Sequence, residues 1–195
     1  MARIKSAWEI ALEKTENLNI DLDKINREKA VKVGRKICGL YINDIDFTRE
    51  KFMEEFNKAE DKTAVKEGIV SNLLLNITLP NDQSFENTFE KMIDIIKILK
   101  EDNEQLVDTL NQIKEFFNQY LNHQSDLVNQ MKEQFEPVIK QKEAQLKQQY
   151  GPDFTYTADQ DQEFMKLLDD NLKKLDEQYN ETLENVKAKI KEELA

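Results

Sequence analysis

The sequence predicts an all-α protein: an N-terminal helical head followed by a long antiparallel coiled-coil helical hairpin. Three observations carry that prediction. Toward the C-terminus Phe164, Leu168, Leu172, Leu175, Tyr179, Leu183, Val186, Ile190 and Leu194 recur at spacings of 4, 4, 3, 4, 4, 3, 4 and 4. This is an 11-residue repeat, about 3.67 residues per turn, the habit of a nearly straight helix with one covered stripe. Turn residues are scarce: four Gly and three Pro occur in 195 residues, with no Gly between Gly68 and Gly151. Strands need frequent turns, so the chain reads as a few long helices. Finally, hydrophobic residues make up 39% beside 34% charged ones, too apolar for disorder and in the proportions of helical proteins.

The head spans residues 1–80. A first helix over about 4–17 carries Ile4, Ala7, Trp8, Ala11 and Leu12 on one face, expected to dock on the protein's own core. A second, from about 23 to 42, should bury Ile25, Ala30, Val33, Ile37, Leu40 and Tyr41. After the turn Asn43-Asp44-Ile45-Asp46, a third helix over 48–59 turns Phe52, Met53 and Phe56 inward. A fourth over 62–78 holds Val65, Ile69, Val70, Leu73, Leu74, Leu75 and Ile77, apolar enough to be buried on most sides. Pro80-Asn81-Asp82 ends it.

The hairpin spans residues 81–195. Its first helix runs from about Ser84 to Tyr150, with Met92, Ile96, Leu99, Leu106, Leu110, Ile113, Phe117 and Tyr120 in a heptad-like row. Asn103 occupies one core position of that row, where a polar residue fixes register or partner. The row, which can pack on the head or on the same row of a second copy, steps through Met131, Phe135 and Val138 beyond Leu127. Pro137 should kink or break the helix. The turn is placed near 150–157, at Tyr150-Gly151-Pro152-Asp153. Thr157-Ala158-Asp159-Gln160 reads as a capping box opening the last helix, over 158–194. Residues 115–150 then pair with 158–194 along both stripes.

Charge narrows the partners. The net charge is -11, but residues 1–43 hold nine Lys/Arg and six Asp/Glu, so the remainder carries -14. Such a surface repels phosphate and argues against nucleic acid. The single cysteine fits a reducing compartment, no apolar run is long enough to span a membrane, and no signal peptide is evident. The cytoplasm is the expected location.

No residue set points to catalysis, a cofactor or a metal. His123 is the only histidine and lies in a polar stretch, which leaves no triad, zinc or di-iron set. Cys38, between Ile37 and Gly39, reads as a small buried thiol rather than a nucleophile. Gly34 and Gly39 have the spacing of a phosphate loop, but Leu40-Tyr41 replaces its Lys-Ser/Thr, so they read as a close helix contact. Asp159, Asp161 and Glu163 alternate like the start of a calcium loop without its glycine or distal glutamate. Acids in a first helical turn are expected anyway. Asn76-Ile77-Thr78 and Asn180-Glu181-Thr182 match glycosylation sequons that matter only in a secreted chain.

The opening Ile4-Lys5-Ser6-Ala7-Trp8-Glu9-Ile10-Ala11-Leu12-Glu13-Lys14-Thr15 resembles the N-terminal signature of an uncharacterised family of small bacterial helical proteins, a domain of unknown function. Two later stretches are similar to the same family: Glu67-Gly68-Ile69-Val70 through Leu79-Pro80, and Glu163-Phe164-Met165-Lys166 through Gln178-Tyr179. The resemblance implies a bacterial, cytoplasmic setting and a head that belongs with its arm. It brings no activity and no site residue.

The expected function is therefore non-enzymatic: a protein–protein interaction or structural adaptor with a protein partner, self-association being left open. Two alternatives are a holdase using Phe116, Phe117, Tyr120, Phe135, Tyr150 and Phe164, or an acidic accessory factor of a ribosome or other basic assembly.

Overall fold

The computed structural model describes residues 6–100 and 104–194, with the backbone alone for residue 7 and residues 9–21. Among the described residues the chain is all-α, with six α-helices, one 3-10 turn and no strand. Two compact units divide it: Met1–Ile77 with Glu90–Val107 and Lys191–Ala195, and Thr78–Phe89 with Asp108–Ile190.

The first unit is built on α1 (Ala7–Asn43), one 37-residue helix where two were expected. Leu18-Asn19-Ile20-Asp21-Leu22 contains neither Gly nor Pro, so nothing in the backbone chemistry stops the helix there. Its inner face is Gly34, Ile37, Cys38 and Ile42, all buried. Ile25 and Val33, expected inside, are 45% and 40% exposed, and Trp8 is 74% exposed rather than docked. The rest of the first helix's expected apolar face (Ile4, Ala7, Ala11, Leu12) lies outside the described side chains.

The inner face is set by a crossing with α3 (Lys62–Asn76). A Cβ placed on Gly34 would come within 2.9 Å of the Val65 carbonyl carbon and 3.0 Å of the Ile69 nitrogen. One placed on Gly68 would meet Val31 at 2.9 Å and the Arg35 nitrogen at 3.0 Å. The two helices touch backbone to backbone, each through the other's glycine. The close contact expected at Gly34 is therefore made, while Gly39 has only ordinary contact with Asn72 at 3.8 Å.

Around the crossing, α2 (Arg49–Asn57) is capped by Thr48, whose Oγ1 accepts from the Lys51 N–H, and buries Phe52 and Phe56. Met53, one position off that face, is 36% exposed against expectation. In α3, Asp61 caps through a 2.9 Å bond from the Ala64 N–H, and Val65, Ile69, Val70 and Leu73 are buried while Leu75 faces out. Asp94 accepts from the Tyr41 hydroxyl and pairs with Arg49 at 3.1 Å, and Lys91 donates to the Ile42 carbonyl at 3.0 Å. Burial, and then the bond to Asp94, push the Tyr41 hydroxyl up to about 12.

Where one helix was expected from Ser84 to Tyr150, the structure has α4 (Phe85–Leu99) and α5 (Glu104–Tyr150), with Lys100 outside both. The other residues between them, Glu101-Asp102-Asn103, lie outside the described residues. Asn103, read as a core position, is one of them. Pro137 does not break α5, which continues through it to Tyr150.

In the second unit Phe85, Phe89 and Phe117 meet edge to face, with centroids 5.3 to 5.8 Å apart. Contacts between α5 and α6 (Gln162–Leu194) then climb one helix as they descend the other. Phe116 meets Tyr179 at 4.7 Å, Tyr120 donates to Asp176 at 2.7 Å, and Phe135 meets Phe164 at 5.3 Å. Met131, Phe164 and Leu168 form the buried centre, flanked by Leu127, Val128 and Leu172. Every residue of the 11-residue stripe is buried or half-buried. On α5 the step after Phe135 is four residues, not three: Ile139 is buried and Val138 is 39% exposed.

Candidate functional site

The turn between α5 and α6 gathers the most polar chemistry in the second unit. α5 stops because Gly151 takes a φ of 105°, a left-handed conformation that other residues adopt at a cost, while its N–H still bonds the Lys147 carbonyl at 3.0 Å. The Phe154 N–H reaches the Gly151 carbonyl at 3.2 Å, and the Phe154 ring stacks on Tyr150 at 5.3 Å and 27°. Tyr150 is 64% exposed, so the stacked pair presents an aromatic face to solvent.

The capping box expected at Thr157 forms, with the Thr157 N–H donating to Gln160 Oε1 at 2.9 Å, but it closes only a 3-10 turn over Ala158–Gln160. α6 starts at Gln162, and its cap is Asp161. One Asp161 oxygen accepts from the backbone N–H groups of Glu163 at 2.9 Å and Phe164 at 3.0 Å. The other accepts from Lys142 Nζ and, at 3.3 Å, from the Tyr156 hydroxyl. Asp161 is 1% exposed and is the buried charged residue of the described core. The Lys142 ammonium first, and then the Phe164 N–H, hold its carboxyl below the usual carboxylate range, and Asp161 in turn raises Lys142. Lys142, Gln149, Tyr156, Gln160 and Asp161 border an open hollow of about 600 Å³.

The residues weighed from sequence are spread over the molecule. Asp159 pairs with Lys132 at 3.2 Å and Glu163 lies 3.7 Å from Lys142, so the three alternating acids serve two lysines and a helix end. Among the described residues no group of His, Cys, Asp and Glu is arranged to hold a metal ion. Cys38 is fully buried, and desolvation pushes its thiol up to about 12, far from the thiolate a nucleophile needs. His123 lies on α5 with its Nδ1 2.6 Å from the Tyr179 hydroxyl. Gly34 to Gly39 lie inside α1, where no loop cradles an anion. Of the sequon asparagines, Asn76 donates to the Asn72 carbonyl at 2.8 Å and Asn180 is exposed. Of the aromatic set, Phe117 and Phe164 are fully buried, Tyr120 nearly so, and Tyr150 is the exposed member.

The Lys142–Asp161 pair was missed in the sequence because Thr157-x-x-Gln160 carries the stronger capping signature. The available signal was Asp161 itself, an N-cap residue type three before Phe164, the first residue of the stripe.

Among the described residues no helix is long and apolar enough to cross a membrane. A family model described as Family of unknown function (DUF6657) matches residues 50–192, well over half of the chain. Two of the three stretches that resembled an uncharacterised helical family fall within the match, and the N-terminal one falls outside it. No curated protein and no solved structure matches the chain.

Proposed function

The chain belongs to the Family of unknown function (DUF6657), and from that premise we propose that it is a non-enzymatic cytoplasmic protein whose α5–α6 coiled-coil hairpin binds a protein partner through its turn. The observation that carries this reading is the Tyr150–Phe154 stack: an exposed tyrosine held on a half-buried phenylalanine, on a turn whose buried aspartate is already engaged. Aromatic anchors on preorganised backbone are what interface hot spots are made of. The reactive groups point the same way. Asp161 has both oxygens occupied, Cys38 is sealed in the first unit and His123 is bonded to Tyr179.

A holdase would need its aromatic residues free to grip a client. Phe116, Phe117, Phe135 and Phe164 are instead turned onto other rings of the same chain, which favours the adaptor. A photo-crosslinking residue installed at Tyr150 in the native cell tests the proposal. The expected result is one discrete protein adduct that the same probe at exposed Ser125 of α5 does not give. Equal labelling from both positions overturns the reading.

A further inference from the structure

The N-terminal part of α1 has an apolar side that the described residues of its own chain leave uncovered. All side chains from Leu22 to Lys29 are exposed, and along one side of the helix Trp8, Leu22, Ile25 and Val33 are 74%, 51%, 45% and 40% exposed. Trp8, Leu22 and Ile25 fall on a heptad that Ala11, Thr15 and Leu18 continue in the sequence, at spacings of 3, 4, 3, 4 and 3. Val33 lies two turns further along. This side is distinct from the inner face of Gly34, Ile37, Cys38 and Ile42. Most helices owe their stability to packing of an apolar face, and a heptad stripe is the form that packs on another helix.

The charge along the same helix indicates which helix. Residues 7–21 hold four acids and one lysine, whereas residues 22–36 hold six cations and two acids. Of those cations Arg27 pairs with Glu67 at 2.8 Å. The first thirty residues of α1 therefore divide into an acidic and a basic stretch of equal length, followed by the uncharged residues 37–43. A second α1 laid antiparallel about the junction of the two stretches offers each the stretch of opposite sign, with Leu22 and Ile25 near the centre of the pair. A parallel copy would set like charge against like. We infer that α1 is a self-association helix, through which two copies of the chain pair antiparallel about a two-fold axis. The apolar stripe supplies the affinity. The charge halves select the orientation, with a reach limited by the Debye length of about 8 Å at physiological salt.

Sedimentation equilibrium on the full chain tests this, with three variants. Wild type should be a dimer that weakens with added salt. Leu22→Asp with Ile25→Asp, at positions half exposed in the single chain, should raise the dimer dissociation constant at least about tenfold. Two further variants reverse one half each: Glu9→Lys, Glu13→Lys and Glu16→Lys makes both halves basic, and Lys24→Glu, Lys29→Glu and Lys32→Glu makes both acidic. Arg27 and its bond to Glu67 stay untouched. Each should dissociate alone, and an equimolar mixture should recover a 1:1 dimer. A monomeric wild type, a reversed variant that dimerises as well as wild type, or a mixture that fails to recover would each overturn the inference. Protection of Cys38 from thiol reagents shows that the first unit stays folded in every variant.

Discussion

The two units hold their helices together in opposite ways. In the first, α1 and α3 meet at a point: Gly34 and Gly68 bring the backbones into contact, and the buried side chains gather around that crossing. In the second, α5 and α6 meet along a line: rings, a buried methionine and polar links follow one another from Tyr179 down to Lys142. A point contact concentrates its tolerance for change in very few atoms. A seam spreads it, so that each residue contributes a little and none is indispensable. The smallest possible side chain should therefore be the most sensitive position in the molecule.

The sharpest way to break the comparison is Gly34→Ala. The new methyl would fall on the Val65 carbonyl, and a backbone atom cannot move aside as a side-chain tip can. The expected loss is about 3 kcal/mol or more, at the upper end for overpacking. Hydrogen exchange should rise most in α1 and α3. Cys38, fully buried and with its thiol held at about 12, should become reactive to alkylation in step. A thiol that stays protected in Gly34→Ala would show that the crossing can relax.

Leu168→Ala makes the converse test. It removes three carbons from the seam instead of adding one, yet Leu168 is already 8% exposed and its neighbours can close in. The expected cost is about 2 kcal/mol, toward the low end for a buried leucine. Exchange should rise locally around Met131 and Phe164 and leave the Cys38 thiol as protected as in wild type. A loss equal to that of Gly34→Ala would erase the distinction between point and seam.

The difference between the units also explains what could be read in the sequence. A seam repeats, so its signal accumulates: every stripe residue from Phe164 to Leu194 is buried or half-buried as its spacing requires. A crossing does not repeat. Gly34 stands out in the sequence only through its distance from Gly39, and Gly68, its true counterpart, stands alone between Lys66-Glu67 and Ile69-Val70. Without the crossing, the face of α1 is misread by about one residue, which is how Ile25 and Val33 came to be placed inside. Helix ends failed for a related reason. Propensity carries α1 through residues 18–22, and only tertiary packing could have said which apolar residues of so long a helix are covered. After Phe135 the buried position is Ile139 and not Val138, a one-residue difference that local spacing does not encode.

At the turn the candidate site is itself a point contact set at the end of a seam, and its weight can be measured by pH. Asp161 caps α6 and receives Lys142, and both effects stabilise its charged form. Because its folded pKa is depressed, the stability it contributes is present above the unfolded carboxylate value of about 4 and is lost as pH falls through the lower folded value. Lys142 is shifted upward, so its share is present below the ordinary lysine range and fades only as pH rises through the raised folded value. Asp161→Asn separates charge from capping, because asparagine caps a helix nearly as well. The variant should lie about 1 kcal/mol below wild type at neutral pH, by loss of a charge-assisted bond. The gap should start to close as pH drops below about 4 and vanish once pH has fallen through the lower folded value, where folded wild type loses the same charge. Asp161→Ala should lose about 1 kcal/mol more at every pH, because the cap goes too. A gap between wild type and Asp161→Asn that persists in acid would mean that the carboxylate's shape, and not its charge, holds the turn.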